Sequence, residues 1–156
     1  MTINKDIKFN IALYEPEIPQ NTGNIARLCA CTGADLYLIG KLGFSLSEKY
    51  VKRAGLDYWD SVNIVQVPTI EELWKNFPQN KFYYLTTKTQ TPYYNCNFKD
   101  GDFLVFGPET RGLPEDLLNK YKSETLNIPM KEGQRSLNLS NSVAIVLYEA
   151  LRQNLQ

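Results

Sequence analysis

Short apolar runs alternate with helical periods along this chain, the pattern of a mainly parallel α/β sheet with flanking helices. Phe9–Tyr14 reads as the first strand, closed by Glu15-Pro16-Glu17-Ile18-Pro19. Asn21 or Thr22 is the expected cap of a helix that runs to about Cys31 and stops at Gly33. Leu36–Ile39 predicts a second strand ending at Gly40, and Ser47–Arg53 a short basic helix, with Lys49, Lys52 and Arg53 three or four apart. Val62–Val67 and Phe82–Thr87 are the third and fourth strands, flanking a short helix over Ile70–Phe77. Residues 88–101 carry Pro92 and Gly101 and read as a loop. Phe103–Phe106 is a fifth strand and Thr125–Ile128 a sixth; between them Pro114, Glu115 and Asp116 suit the start of a helix. The last helix is the clearest: Val143, Val146, Leu147, Ala150 and Leu151 form an i, i+3, i+4, i+7, i+8 stripe, with Ser140 or Asn141 as the expected cap.

Composition narrows the chemistry. The chain has 156 residues, 43% hydrophobic and 22% charged, so one domain over residues 1–156 is the simplest expectation. Seventeen basic residues balance seventeen acidic ones, so any RNA contact has to use a local patch, and DNA is not an expected partner. There is no histidine, which excludes His triads, His general bases and His-ligated metals. Cys29, Cys31 and Cys96 lack CxxC spacing; a zinc site and a disulfide framework are not expected, and a reducing compartment is. No signal-like N-terminal run or long apolar stretch is present, so a cytoplasmic protein without a membrane partner is expected.

Candidate chemistry gathers after the late strands. Gly107-Pro108-Glu109-Thr110-Arg111-Gly112 follows the fifth strand, and Ile128-Pro129-Met130 followed by Gln134-Arg135-Ser136-Leu137-Asn138-Leu139-Ser140-Asn141 follows the sixth. Ligands of parallel sheets bind beyond the carboxyl ends of strands, so these two loops predict one shared pocket. The first turn lacks GxGxxG, no acidic residue ends the second strand, and no GxxxxGK[ST] loop occurs. A nucleotide-like ligand would therefore be held unconventionally, through the late loops.

Three ordered segments, Asn21-Thr22-Gly23-Asn24-Ile25-Ala26-Arg27, Phe106–Gly112 and Ile128–Met130 with Ser136–Asn141, resemble the signatures of the SPOUT (α/β-knot) superfamily of S-adenosylmethionine-dependent RNA methyltransferases. Glu15–Pro19 and Ala54-Gly55-Leu56-Asp57-Tyr58 are similar to its small wobble-ribose subgroup, the tRNA (cytidine/uridine) 2′-O-methyltransferases. The resemblance implies a deep trefoil knot in the C-terminal third and a homodimer with its active site near the interface. It also implies transfer of methyl from S-adenosylmethionine to the wobble nucleotide of tRNA, leucine tRNAs being the expected set, with S-adenosylhomocysteine as product and no metal. By position it implies Arg27 as the catalytic residue and Leu85, Gly107, Ile128 and Ser136 around the cofactor. Asn138, Ser140, Asn141, Tyr148 and Arg135 would support the substrate or the site. A non-catalytic RNA-binding module on the same fold is the alternative.

Each assignment has a plainer rival. Gly107-Pro108 can simply turn the chain, Leu85 and Ile128 can be core, and Asn138 and Ser140 can be caps alone. Arg27 shares its helix with Ile25, Leu28 and Cys29 and can be a solvated arginine. Lys41, Lys49, Lys52 and Arg53, with Tyr50, Tyr58 and Trp59 nearby, suit RNA phosphates and bases as well as they suit a solvated helix with core aromatics. Glu109 either orients loop backbone or repels wrong ligands.

Overall fold

All six apolar runs are strands in the computed structural model, which describes residues 2–3, 6–53 and 58–155. The Ala54–Asp57 part of the motif ending at Tyr58, and the side chain of Lys52, lie outside that description. The strands are β1 (Asn10–Tyr14), β2 (Asp35–Ile39), β3 (Ile64–Val67), β4 (Phe82–Leu85), β5 (Phe103–Phe106) and β6 (Thr125–Leu126). They form one sheet in the order β3-β2-β1-β5-β4-β6, and every pairing is parallel. Ile11 pairs with Leu36 on one side and Leu104 on the other, so β1 lies at the centre. From β1 the chain winds outward through β2 and β3, whereas β5 inserts between β1 and β4. The strand order thus reverses at β1/β5.

β6 is two residues shorter than predicted. Ile128 precedes Pro129, which has no N–H to give, and Asn127 leaves β4 to pair with the 91–93 segment: its N–H donates to the Thr91 carbonyl at 2.7 Å, and its own carbonyl accepts from Tyr93 at 2.8 Å.

The described residues form the helices α1 (Pro19–Thr32), α2 (Glu48–Arg53), α3 (Ile70–Asn76), α4 (Glu115–Lys120) and α5 (Leu139–Asn154). On one face α1 and α5 bury Ile25, Ala26, Val143, Val146 and Leu147 against Ile11, Leu13, Leu36, Leu104 and Phe106. On the other, Leu73 of α3 and Leu117 and Leu118 of α4 meet Ala12, Tyr37, Phe103 and Val105. Alternate strand residues thus serve opposite cores, as the period of two requires. Each fully buried Leu or Val contributes about 1.5–3 kcal/mol.

Two helix starts differ from expectation. Asn21 and Thr22 do not cap α1; they lie buried within its first turn, Pro19 opens the helix, and Ile18 at the cap position has no side chain to offer its N–H groups. Proline suits that first position because its missing N–H would be unpaired anyway. α5 is capped by Asn138 rather than by Ser140 or Asn141: Asn138 Oδ1 accepts from the backbone N–H of Ser140 at 2.9 Å and of Asn141 at 3.3 Å. Gly33 ends α1 as predicted, at φ 75°. Among the described residues no helix is long and apolar enough to cross a membrane.

Candidate functional site

A cavity of about 630 Å³ opens at the carboxyl ends of β4, β5 and β6, within the size range of small-molecule sites. The loop after β5 forms one wall and the segment between β6 and α5 another, as the two late loops predict. Phe106, Leu113, Met130 and Leu139 give apolar surface; Thr86, Thr87, Asn138 and Ser142 add polar groups. Lys88, Arg111 and Arg135 bring cationic side chains to it. Lys88 pairs with Glu115 and Arg111 with Glu15, at 3.2 and 3.3 Å, both solvent-exposed pairs of little energetic weight.

The loop after β5 turns where only glycine fits. A Cβ on Gly107 would stand 2.4 Å from both the Gly112 carbonyl carbon and the Leu113 nitrogen, which are backbone atoms that cannot step aside. Gly112 lies at φ 70° and closes the turn through its N–H to the Pro108 carbonyl at 3.0 Å.

Glu109 explains how α1 starts without a side-chain cap of its own. Its carboxylate accepts from the backbone N–H of Glu17 at 2.9 Å and of Ile18 at 2.7 Å, and from Asn21 Nδ2 at 3.2 Å. A carboxylate at this end also complements the helix dipole. Glu17 returns the contact, accepting from the Thr110 N–H at 3.0 Å and the Thr110 hydroxyl at 2.8 Å. Those two bonds hold the Glu17 carboxyl below its ordinary range. The clamp is therefore complete at neutral pH and loosens as the pH falls through that lowered value. Glu109 therefore orients backbone, but that of Glu17 and Ile18 ahead of α1 rather than that of its own loop.

Asn21 joins the third segment to this clamp. Its Oδ1 accepts from Asn138 Nδ2 at 3.1 Å while its own Nδ2 donates to Glu109. The three segments singled out by sequence thus meet in one hydrogen-bonded chain, Glu109 to Asn21 to Asn138 to the start of α5.

A family model described as the SpoU rRNA Methylase family matches residues 8–148. The chain belongs to that family. It is 49% identical to the tRNA (cytidine(34)-2'-O)-methyltransferase of Methylovorus glucosotrophus over 94% of this chain and 96% of the relative. It is 46% identical to the enzyme of the same name from Escherichia coli, over 92% of each chain. A solved structure concerned with the 2-OH methylation of C/U34 on tRNA superimposes with a TM-score of 0.89 at 42% identity, covering 96% of this chain and 97% of that one.

Within this SpoU-family chain the expected site residues divide. Leu85, Gly107, Ile128, Ser136, Asn138 and Arg135 all line the cavity. Arg27, Ser140, Asn141 and Tyr148 do not. Arg27 follows Asn21 by six residues, which carries it roughly 9 Å along α1 and about a third of a turn away from the cavity. It lies exposed, its guanidinium carbon 5.1 Å from the centre of the Tyr58 ring. Tyr148 is also exposed, and the backbone N–H groups of Ser140 and Asn141 are taken up by Asn138. Asn21 and Thr86 were not among the expected site residues; Asn21 lies inside one of the three segments, but its partners stand 88 and 117 positions away in sequence.

No group of three or more metal-ligating side chains occurs among the described residues. The cluster of Lys41, Lys49 and Arg53 has exposed members, and Phe44 stacks on Tyr50 at 6.5 Å. Trp59 is partly buried against the α1/α5 core, a packing role, whereas Tyr58 stays at the surface.

Proposed function

We propose that this chain is a tRNA 2′-O-ribose methyltransferase acting on the wobble nucleotide, cytidine or a modified uridine, with S-adenosylmethionine as donor and leucine tRNAs as substrates. The observation that carries the reading is the cavity into which the three family segments converge, beside full-length relatives named for cytidine-34 methylation. The residues fit the donor. Leu85, Phe106 and Ile128 offer apolar surface to a flat base, Gly107 lets the cavity-lining loop fold back on its own backbone at Gly112 and Leu113, and Ser136 and Asn138 supply polar groups. The carboxylate of Glu109 is already engaged by three donors and leaves the ligand to backbone and neutral groups.

When bound, S-adenosylmethionine supplies a methyl group on a positively charged sulfur and needs no metal. The chain's own task is to place a ribose hydroxyl and to stabilise the charge that develops as its proton leaves. With no histidine available, Arg27 takes that role. An arginine stays protonated, so it acts by hydrogen bonding the developing alkoxide while water or a phosphate oxygen accepts the proton. Arg135, at the cavity, suits an RNA phosphate.

Arg27 stands outside its own chain's cavity, which favours a homodimer in which it completes the partner's. Ile18, Tyr58, Leu137 and Tyr148 support this: they are large apolar side chains left 41%, 36%, 38% and 48% exposed. Three of them border or belong to the packed pair α1 and α5, and Tyr58 contacts Arg27 of α1. We also hold to a single knotted domain in the cytoplasm. Incubation with labelled S-adenosylmethionine and tRNA from cells lacking the modification, followed by nucleoside mapping, tests the reading. A 2′-O-methylated wobble nucleotide in leucine tRNAs is expected. Donor binding without transfer to any tRNA would favour the non-catalytic RNA-binding module instead.

A further inference from the structure

We infer that Tyr58 is the positioning residue for Arg27, holding the guanidinium by its ring face so that the N–H donors remain free for substrate. This rests on the reading of Arg27 as the catalytic group. The guanidinium carbon of Arg27 lies 5.1 Å from the Tyr58 ring centre, inside the range of a cation–π contact. Among the described residues the Arg27 side chain makes no hydrogen bond or ion pair, so the ring is what restrains its head. The ring itself has a firm base. Ser61 N–H donates to the Tyr58 carbonyl at 3.0 Å, closing a 3₁₀ turn over Trp59–Ser61. Trp59 and Val62 then pack that turn on the α1/α5 core.

The choice of an aromatic partner has a chemical consequence. A carboxylate would hold Arg27 at least as well, but it would occupy the guanidinium donors and place negative charge beside a developing alkoxide. An aromatic face restrains the planar cation while leaving its in-plane N–H groups and its charge available. Tyr58 remains 36% exposed, so burial in the core does not account for its position. Its hydroxyl makes no hydrogen bond among the described residues, so the ring face carries the contact.

The test compares Tyr58→Leu and Tyr58→Phe in the full-length protein, with turnover at saturating tRNA and S-adenosylmethionine, KM for each, and donor affinity by calorimetry. Loss of the ring should lower kcat about tenfold, since small misplacements of reacting groups cost up to about 100-fold, with donor affinity unchanged. Tyr58→Phe should restore kcat to within about twofold of the parent, as a face contact requires. Tyr58→Gln, suited to an exposed site, gives the same comparison if the leucine variant melts below the assay temperature. Unchanged kcat, a loss that Tyr58→Phe does not restore, or an effect confined to KM for tRNA would each overturn the inference; the last would mark the ring as a base-stacking surface. An active Arg27→Ala would sink the underlying reading of the site. An inactive Arg27→Ala beside a fully active Tyr58→Leu would sink only the role of Tyr58.

Discussion

Around the cavity, side chains hold backbone: Glu109 and Glu17 clamp the loop after β5 to the start of α1, Asn138 caps α5, and Gly107 lets two strands of loop pass at distances no other residue permits. On the outer face of α1, the reactive candidate Arg27 is exposed, and among the described residues the Tyr58 ring restrains its side chain. The first region is preorganised within a single chain, which suits the proposed donor pocket. The second is left open, which suits the proposed acceptor surface for RNA and a second subunit. On the proposed reading the contrast makes donor binding and hydroxyl activation separable, so that each can be damaged alone.

The largest separation is expected from Arg27→Ala. Turnover at saturating tRNA should fall by about 100- to 1,000-fold, the scale of a lost oxyanion donor, with donor affinity unchanged by calorimetry. Gly107→Ala should do the reverse. Its Cβ would meet two backbone atoms at 2.4 Å, so the loop must shift, and donor affinity should fall by at least about tenfold, the effect of roughly 1.4 kcal/mol.

Glu109→Ala should loosen the clamp. It strips hydrogen bonds from the Glu17 and Ile18 N–H groups and from Asn21, at a cost of about 1–3 kcal/mol. For a chain of this size that lowers Tm by roughly 2–12 °C, readable by calorimetry. The smallest effect probes the outer face. Cys31 is exposed four residues beyond Arg27, whereas Cys29 is buried and its thiol pushed up to about 12, chiefly by desolvation. Iodoacetamide should label Cys31 and leave Cys29 unmodified in mass spectra. Slower labelling of Cys31 as protein concentration rises would show that a second copy covers this face.

Much of this contrast was visible in the sequence because its signals are local. Strand runs such as Leu36–Ile39 and Phe103–Phe106, the stop at Gly33 and the α5 stripe each depend on neighbours within a few residues. The two late loops follow their strands directly, so their meeting at one cavity followed from parallel topology. What escaped depends on long-range partners. The start of α1 is held by Glu109, some 90 residues downstream, which no reading of the Ile18–Thr22 neighbourhood contains. Pro19 was a local signal that should have outweighed Asn21 and Thr22 as caps. The displacement of Arg27 from the cavity depends on which side of α1 packs against the sheet, and helical periodicity alone leaves that choice among several polar positions.

Mixing two impaired variants, at a donor concentration that fills the parental cavity but not that of Gly107→Ala, tests the central claim most directly. Arg27→Ala keeps an intact cavity, and Gly107→Ala keeps an intact Arg27; a mixed dimer holds one of each on different chains, and they make a complete site only if an arginine serves its partner's cavity. If Arg27 completes the partner's cavity, co-refolding the two should restore methyl transfer to tRNA, at up to about a quarter of the parental rate for random pairing into half-active mixed dimers. Mixed dimers that form but remain inactive would contradict the account and return Arg27 to its own chain.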